Sequence, residues 1–497
     1  MDSASVFPAP VYRDSVLSPI FEDAKRLFLG AMLDIDYAHV VMLAERGINT
    51  PAVTAACLDA LDRLDRDALM KTTYDGSVED LFFLVEKKLA ALCGAEFAGR
   101  IHTARSRNDM DLTMYRMVLR GNILSLYEAS LQLRARLITL AGRYSAAPIP
   151  AYTHNQPAQP TTLGHYLMAF IEVFERDADR MRSVWPRLNL SPLGACAITT
   201  TGFPIDRPRT AALLAFDGLQ VNSYGAIASI DYLTECCAVL VTSMLNIGRL
   251  AQEMLLYSTA EFDYLRLSDG YVQTSSIMPQ KRNPVPLEHA RILASRAMTE
   301  AQAVLGCLHN TPFADMNDSE DPLQALVDIA FTDALRAQRL LAGALGEASF
   351  NVKHMRERAE GSFLTVTELA DTLVRTTGIS FHQAHAFVSH AVTACNGVFD
   401  RERMVTSVSL SLASARVPVP PRALLLNALD VDNFIRLRSI PGGPAPAALD
   451  PEIDRARRQY DTDHAWLAER RLQLSTAATA LRHSVDQWKS TPPEAGS

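Results

Sequence analysis

The chain has 497 residues, 48% hydrophobic and 21% charged, and its 48 Lys and Arg against 56 Asp and Glu leave a formal net charge of −8. At roughly 100–200 residues per domain, this predicts a soluble globular protein of about two to four domains with a large core. No block of like charges offers the clustered cations that a duplex-binding surface needs, which excludes nucleic acid as a partner.

The N-terminal stretch MDSASVFPAPVYRDS has neither a basic nor an apolar segment of the secretory kind. The apolar run that begins at Cys236 meets Arg249 too soon to span a bilayer, so no membrane partner is expected. Proline placement organises the rest, because proline breaks a helix interior. None occurs over 109–147, 209–278, 287–311 or 323–417, four helix-length windows. Within 111–141, Leu112, Tyr115, Leu119, Ile123, Leu126, Leu131, Leu133, Leu137 and Leu140 recur mostly at three or four, which predicts one long packed helix. Segments 228–257 and 323–346 behave similarly, and no stretch alternates as a strand should. The fold class is therefore all-α. Helices of this length far exceed the average of about 11–12 residues and imply a bundle shared between subunits. Pro- and Gly-rich sequence over 418–451 predicts a surface loop ahead of a last helix at 451–487, with polar, frayed termini. The cysteines at 57, 93, 196, 236, 237, 307 and 395 are odd in number and never spaced C-x-x-C. They read as reduced, buried thiols of a cytoplasmic protein without disulfide or metal.

Four segments carry chemistry. Gln273-Thr-Ser-Ser-Ile-Met-Pro-Gln-Lys-Arg-Asn-Pro284, followed by Val-Pro-Leu-Glu288, is a polar strip in which hydroxyls precede a Lys and an Asn two apart. His102-Thr-Ala-Arg-Ser-Arg-Asn-Asp109 sets donors at the start of the long helix, where the dipole favours a carboxylate. Tyr152-Thr-His-Asn-Gln-Pro-Ala-Gln-Pro160 reads as a proline-fixed loop around one His, and Ser191-Pro-Leu-Gly194 is a fourth unit. Taken singly, each has a plain structural reading: a capping loop, an N-cap with solvated arginines, a structural His, a turn. Their joint occurrence, in this order, is what points to chemistry.

Together the four resemble the argininosuccinate lyase family of the aspartase/fumarase superfamily, with further similarity at Glu79-Asp80, Pro204-Ile-Asp-Arg207 and Asp371-Thr-Leu-Val-Arg375. The resemblance implies a three-domain all-α fold (1–108 N-terminal helical, 109–360 central long-helix bundle, 361–497 C-terminal helical) in a homotetramer with a shared helical core. Each active site would draw on several subunits and eliminate an amine from a succinyl group, releasing fumarate without a cofactor. Carried over residue by residue, Ser275 stands at the base position. Lys281 and Asn283 would hold charge on the carbanion. Ser106, Arg107, Asn108, Thr153 and Ser276 would bind substrate, and Glu288 would orient the imidazole of His154.

Several positions depart from the family pattern. Thr274 replaces a glycine, Phe82 stands where a His follows Glu-Asp, and the Ser-x-x-x-Asp pair that would hold arginine, expected around Asp23 to Leu27, is absent. The segment 313–321 is acidic, with Asp315, Asp318, Glu320 and Asp321. It reads either as a solvated helix N-terminus or as a contact for a cationic leaving amine. The expected reaction is thus a carbon–nitrogen elimination from an N-substituted aspartate, with ethylenediamine-N,N'-disuccinate (EDDS) lyases as the nearest functional analogy. Argininosuccinate cleavage is the alternative. A catalytically silent, crystallin-like relative is a third reading, which a fumarate-release assay separates from both.

Overall fold

The computed structural model describes residues 7–491, so the outermost residues of the termini expected to fray lie outside the described residues. Seven helices of 24 residues or more carry the fold among the described residues: α1 (Ser18–Glu45), α2 (Arg107–Arg143), α3 (Leu163–Leu188), α4 (Asp231–Tyr257), α5 (Val285–Leu308), α6 (Asp321–Gly346) and α7 (Pro446–Ser490). The windows predicted at 111–141, 228–257 and 323–346 fall on α2, α4 and α6.

Helices α2 to α6 form a bundle whose directions are set by side-chain pairs. Arg116 Nη1 donates to the Arg187 carbonyl at 2.8 Å and Tyr166 to Glu253 at 2.7 Å, so α3 runs against α2 and α4 against α3. Arg291 donates to Gln252, which makes α5 antiparallel to α4, and Arg296 pairs with Asp333 to hold α5 against α6. The apolar stripes of these helices, among them Ile123, Leu126, Leu137, Leu167, Ile171, Leu240 and Ile247, merge into one core. Each fully buried aliphatic side chain contributes about 1.5–3 kcal/mol.

Packing does not follow sequence order at the C-terminus. Residues 369–429 build a core of their own. Helix α7, however, lays Leu449, Ile453 and Leu467 into the bundle, then Leu481 and Val485 into the N-terminal core around α1. A buried ion pair, Arg134 to Asp463 at 2.5 Å, ties α7 to α2. At about 1.5 Å per residue, its 45 residues are too long for one small core to cover.

Three expectations are corrected. The segment around His154 is a β-hairpin, β1 (Pro148–Thr153) paired antiparallel with β2 (Gln156–Thr162). Its four prolines and polar residues hide the strand alternation. The proline-rich stretch 418–451 holds two short helices, Arg422–Ala428 and Val431–Arg436, and the last helix begins at Pro446. Cys307 is exposed and Cys93 and Cys196 are half-buried, so only four of the seven free thiols are buried. The span Pro10–Glu45 and α4 reach mean hydropathies of 1.6 and 1.3 over 18-residue windows, longer apolar runs than the segment after Cys236 suggests. Of the first window 78% is buried in the protein, but of the second only 44%, and Leu245 on α4 remains 49% exposed.

Candidate active site

Two groups of the sequence-predicted residues form at opposite ends of α2. At its N-terminus, Ser106 is the N-cap: Asp109 Oδ1 accepts from the Ser106 amide at 3.0 Å, while Ser106 Oγ accepts from the Asn108 amide at 3.4 Å. Asp109 Oδ2 also accepts the amides of Gly194 (2.7 Å) and Cys196 (2.9 Å). Burial pushes the Asp109 carboxyl up to about 6 against the pull of these three N–H groups. The Ser191 to Gly194 segment is thereby a structural turn that clamps the helix start. Gly194 has φ +87°, and a Cβ there would meet Arg207 Cγ at 2.5 Å. Arg207 in turn donates to the Leu193 and Gln220 carbonyls, both at 2.9 Å. Asp109 and Arg207 thus position Ser106, Arg107 and Asn108.

Arg107 donates through Nη1 to Glu79 (3.0 Å) and Asp80 (2.5 Å), with its guanidinium 5.1 Å from the Phe83 ring centroid. Among the described residues no partner is recorded for its other nitrogens, which leaves donors for an anion. Phe82 is buried against the His102 ring at 5.1 Å, so this departure serves the core. Burial lowers His102 to about 4, with Arg105 and Arg107 adding to the effect, and its imidazole is neutral at physiological pH.

The acidic segment folds onto this end. Asn108 Nδ2 donates to Asp315 at 2.6 Å and Tyr115 to Asp321 at 2.5 Å. Asp315 and Asp318 are exposed, whereas Glu320 and Asp321 are half-buried. Burial and neighbouring carboxylates push Glu320 up to about 8 and hold Asp111 and Asp321 above the usual carboxylate range. A freely solvated helix terminus would show none of this. In the segment around residues 23–27, Arg26 pairs with Asp328 at 2.6 Å and Lys25 is buried, donating to the Thr72 carbonyl at 2.6 Å.

At the other end of α2, the β1–β2 hairpin turns at His154 and Asn155, both with positive φ (51° and 59°), a two-residue turn whose twist suits the strands. It exposes Thr153 and His154 at the tip. Nearby, β3 (Gln273–Thr274) pairs with β4 (Arg282–Asn283) and closes the Ser275 loop. Thr274 sits in a strand pair, a place that suits a β-branched residue better than glycine. Ser275 Oγ accepts the amides of Ile277 (3.3 Å) and Met278 (3.0 Å). The base of the loop is pinned by Arg282, which pairs with Asp269 at 2.6 Å and donates to the Leu267 carbonyl at 2.9 Å. Sequence reasoning passed over this anchor, since nothing in the spacing of residues 269 and 282 marks them as partners. Ser276 and Lys281 are exposed, Asn283 is half-buried, and Glu288 lies exposed in the first turn of α5.

Within one chain these groups do not converge. The 37 residues of α2 span about 55 Å, so Ser106, Arg107 and Asn108 cannot share a four-carbon substrate with His154 or Ser275 of the same chain. Among the described residues no hydrogen bond or ion pair joins His154 to Glu288.

Comparison with known proteins adds the family. A family model described as Lyase matches residues 37–299, and one described as Argininosuccinate lyase C-terminal matches 363–418. Argininosuccinate lyase 2 of Agrobacterium fabrum (strain C58) is 43% identical over 450 residues, 90% of this chain and 89% of the relative. The argininosuccinate lyase of Methanoculleus marisnigri is 36% identical over 459 residues, 92% of each. The crystal structure of EDDS lyase in complex with formate superposes with a TM-score of 0.86 at 32% identity, covering 97% of both chains. The class II fumarase of Schistosoma mansoni (TM-score 0.67, 15% identity, 85% of this chain and 92% of that one) shares the fold alone. The chain therefore belongs to the argininosuccinate lyase family of the aspartase/fumarase superfamily and is a carbon–nitrogen lyase.

Proposed function

We propose that the protein catalyses the reversible β-elimination of an amine other than arginine from an N-substituted L-aspartate such as EDDS, yielding fumarate, as a cytoplasmic homotetramer. Ser275 is the base in this reading: its alkoxide takes the Cβ proton, the Cβ electron pair forms the C=C bond of fumarate, and the C–N pair stays on the protonated substrate nitrogen, which leaves as the neutral amine. Two amides aimed at Ser275 Oγ support the role, because they stabilise the alkoxide that an unassisted serine does not form. Lys281 and Asn283 hold the charge that develops on the substrate carboxylate, where one donor is worth about 3–4 kcal/mol. Ser106, Arg107, Asn108, Thr153 and Ser276 grip the succinyl group, and Glu288 orients His154. No cofactor or metal enters this scheme.

Assembly follows from distance. Residues about 55 Å apart in one chain meet only if different subunits supply them. The apolar face left uncovered on α4 and α5, with Leu245 49% and Ile292 53% exposed, supports burial against other copies. In this arrangement the three domains remain 1–108, 109–360 and 361–497, with α7 spanning the first two.

The leaving group rests on one observation: the acidic segment packs directly on the Asn108 end, through Asp315 and beside Glu320 and Asp321. Such a wall favours a polyamine or diamine fragment. The segment that would hold a guanidinium instead carries the Arg26–Asp328 pair. The second reading, argininosuccinate cleavage, is favoured by the identity to relatives bearing that name. The test is to incubate the protein with fumarate and a panel of amines, and separately with argininosuccinate. Ethylenediamine adducts identified by mass, formed far faster than argininosuccinate is cleaved, are expected. Efficient argininosuccinate cleavage with no diamine adduct reverses the assignment, and no fumarate chemistry at all points to the silent relative.

A further inference from the structure

A cavity of about 470 Å³ lies where the two ends of the chain meet. It is walled by α1, α2, the short helix Arg66–Lys71, the end of the helix Arg207–Leu213, and α7. Arg120, at its wall, stands 13 residues after Arg107 on α2, about 20 Å along the helix, so the cavity is separate from the Ser106 to Asn108 end.

Its charges do not cancel locally. Asp62 is saturated, accepting from Tyr37 (2.8 Å), Arg482 (2.6 and 2.8 Å) and Lys489 (2.5 Å). Arg482 is spent on that contact and on Asp486. Arg120, 6% exposed, donates only to neutral acceptors, Asn189 Oδ1 at 2.9 Å and the carbonyls of Leu214 (2.7 Å) and Ala215 (3.3 Å). Burial lowers it to about 10, as for a cation without a counter-ion in contact. Arg66 and Asp34, both exposed, also face the space at its rim, and among the described residues no ion pair holds either of them. Burial pushes the Asp34 carboxyl up, and the charges of Arg66 and Arg120 pull it down.

Beside the saturated Asp62 and its partner Arg482, two guanidiniums and one carboxylate thus line a space that also carries an apolar wall, with Leu213, Leu214 and Leu481. A simple anion would leave Asp34 facing it, and a simple cation would face two guanidiniums. A molecule carrying both charges satisfies all three groups, and the volume falls in the range of about 300–1,000 Å³ typical of ligand pockets. We propose that this cavity binds a small aminocarboxylate, its carboxylate held by Arg66 and Arg120, its ammonium by Asp34, and its aliphatic part on the three leucines.

The test is calorimetric titration of the full-length protein, in saturating fumarate to occupy the elimination site. L-Glutamate and L-leucine are the probes, with glutarate and 3-methylbutylamine as controls that each lack one charge. At least one amino acid is expected to bind once per chain, at least about tenfold tighter than its control. Asp34→Asn and Arg66→Gln should each weaken it by about tenfold or more with fumarate release unchanged. Ala478→Trp, one turn before Arg482 on α7, fills the space without removing a charged group and should abolish binding. Three results overturn the proposal: no amino-acid binding at ~10 mM, a control that binds as well as its amino acid, or binding that survives in Ala478→Trp.

Discussion

Replacing Asp109 by Ala tests whether the turn at Ser191 to Gly194 organises the Ser106 to Asn108 end of α2. The substitution strands the buried amides of Gly194 and Cys196, now held at 2.7 and 2.9 Å, and removes half of the reciprocal cap on α2. Each orphaned amide costs about 1–3 kcal/mol, about 2–6 together. Relief of the desolvation that raises this carboxyl offsets part, leaving about 2–4 kcal/mol. Ser106→Ala, which removes only the hydroxyl half of the cap, should cost about 1 kcal/mol. Urea unfolding measures both, and fumarate-release kinetics should show a raised KM in Asp109→Ala, because Ser106, Arg107 and Asn108 lose their support. The pH dependence has a definite sign. The folded-state pKa of about 6 exceeds the unfolded value of about 3.9, so the folded chain holds the proton more tightly. Stability from this group is then lost as pH rises from about 4 to about 6, and Asp109→Asn, neutral throughout, should abolish that decline. Asp109→Ala no less stable than Ser106→Ala, with KM unchanged, would refute the clamp.

Three further outcomes are expected. Ser275→Ala should abolish elimination while fumarate still binds, and comparable turnover by the mutant would remove Ser275 as the base. Lys281→Ala should lower kcat, since its contact strengthens in the transition state, whereas Arg107→Ala should chiefly raise KM; two mutants that lose only affinity would erase this division of roles. Mixing inactive Ser275→Ala with inactive His154→Ala protein under subunit exchange should restore part of the activity, and none recovered despite proven exchange would argue against shared sites.

Much of this protein was legible in its residues alone. The spacing of leucines without proline made α2, α4 and α6 visible, because an apolar stripe at helical period is itself the reason such a helix forms. The polar strip around Ser275 and the helix-start donors of Ser106 to Asn108 are visible as candidates too, since a run of hydroxyl, cationic and amide residues is written in adjacent positions. Other features depend on groups distant in sequence. The hairpin at His154 is held by strand pairing that its prolines disguise, and its turn needs two positive φ values that residue identity only permits. Asp109 meets Gly194 across 85 residues, Arg282 meets Asp269 outside any motif, and the packing of the acidic run at 315–321, which the sequence leaves open, is decided only by Asn108 and Tyr115 closing on it. Local pattern decides which helices form, because each element's periodicity is written in consecutive residues. Tertiary packing decides which charges meet, and with them the pKa values, the clamp and the cavity at Arg120, because those energies exist only between segments that folding brings together.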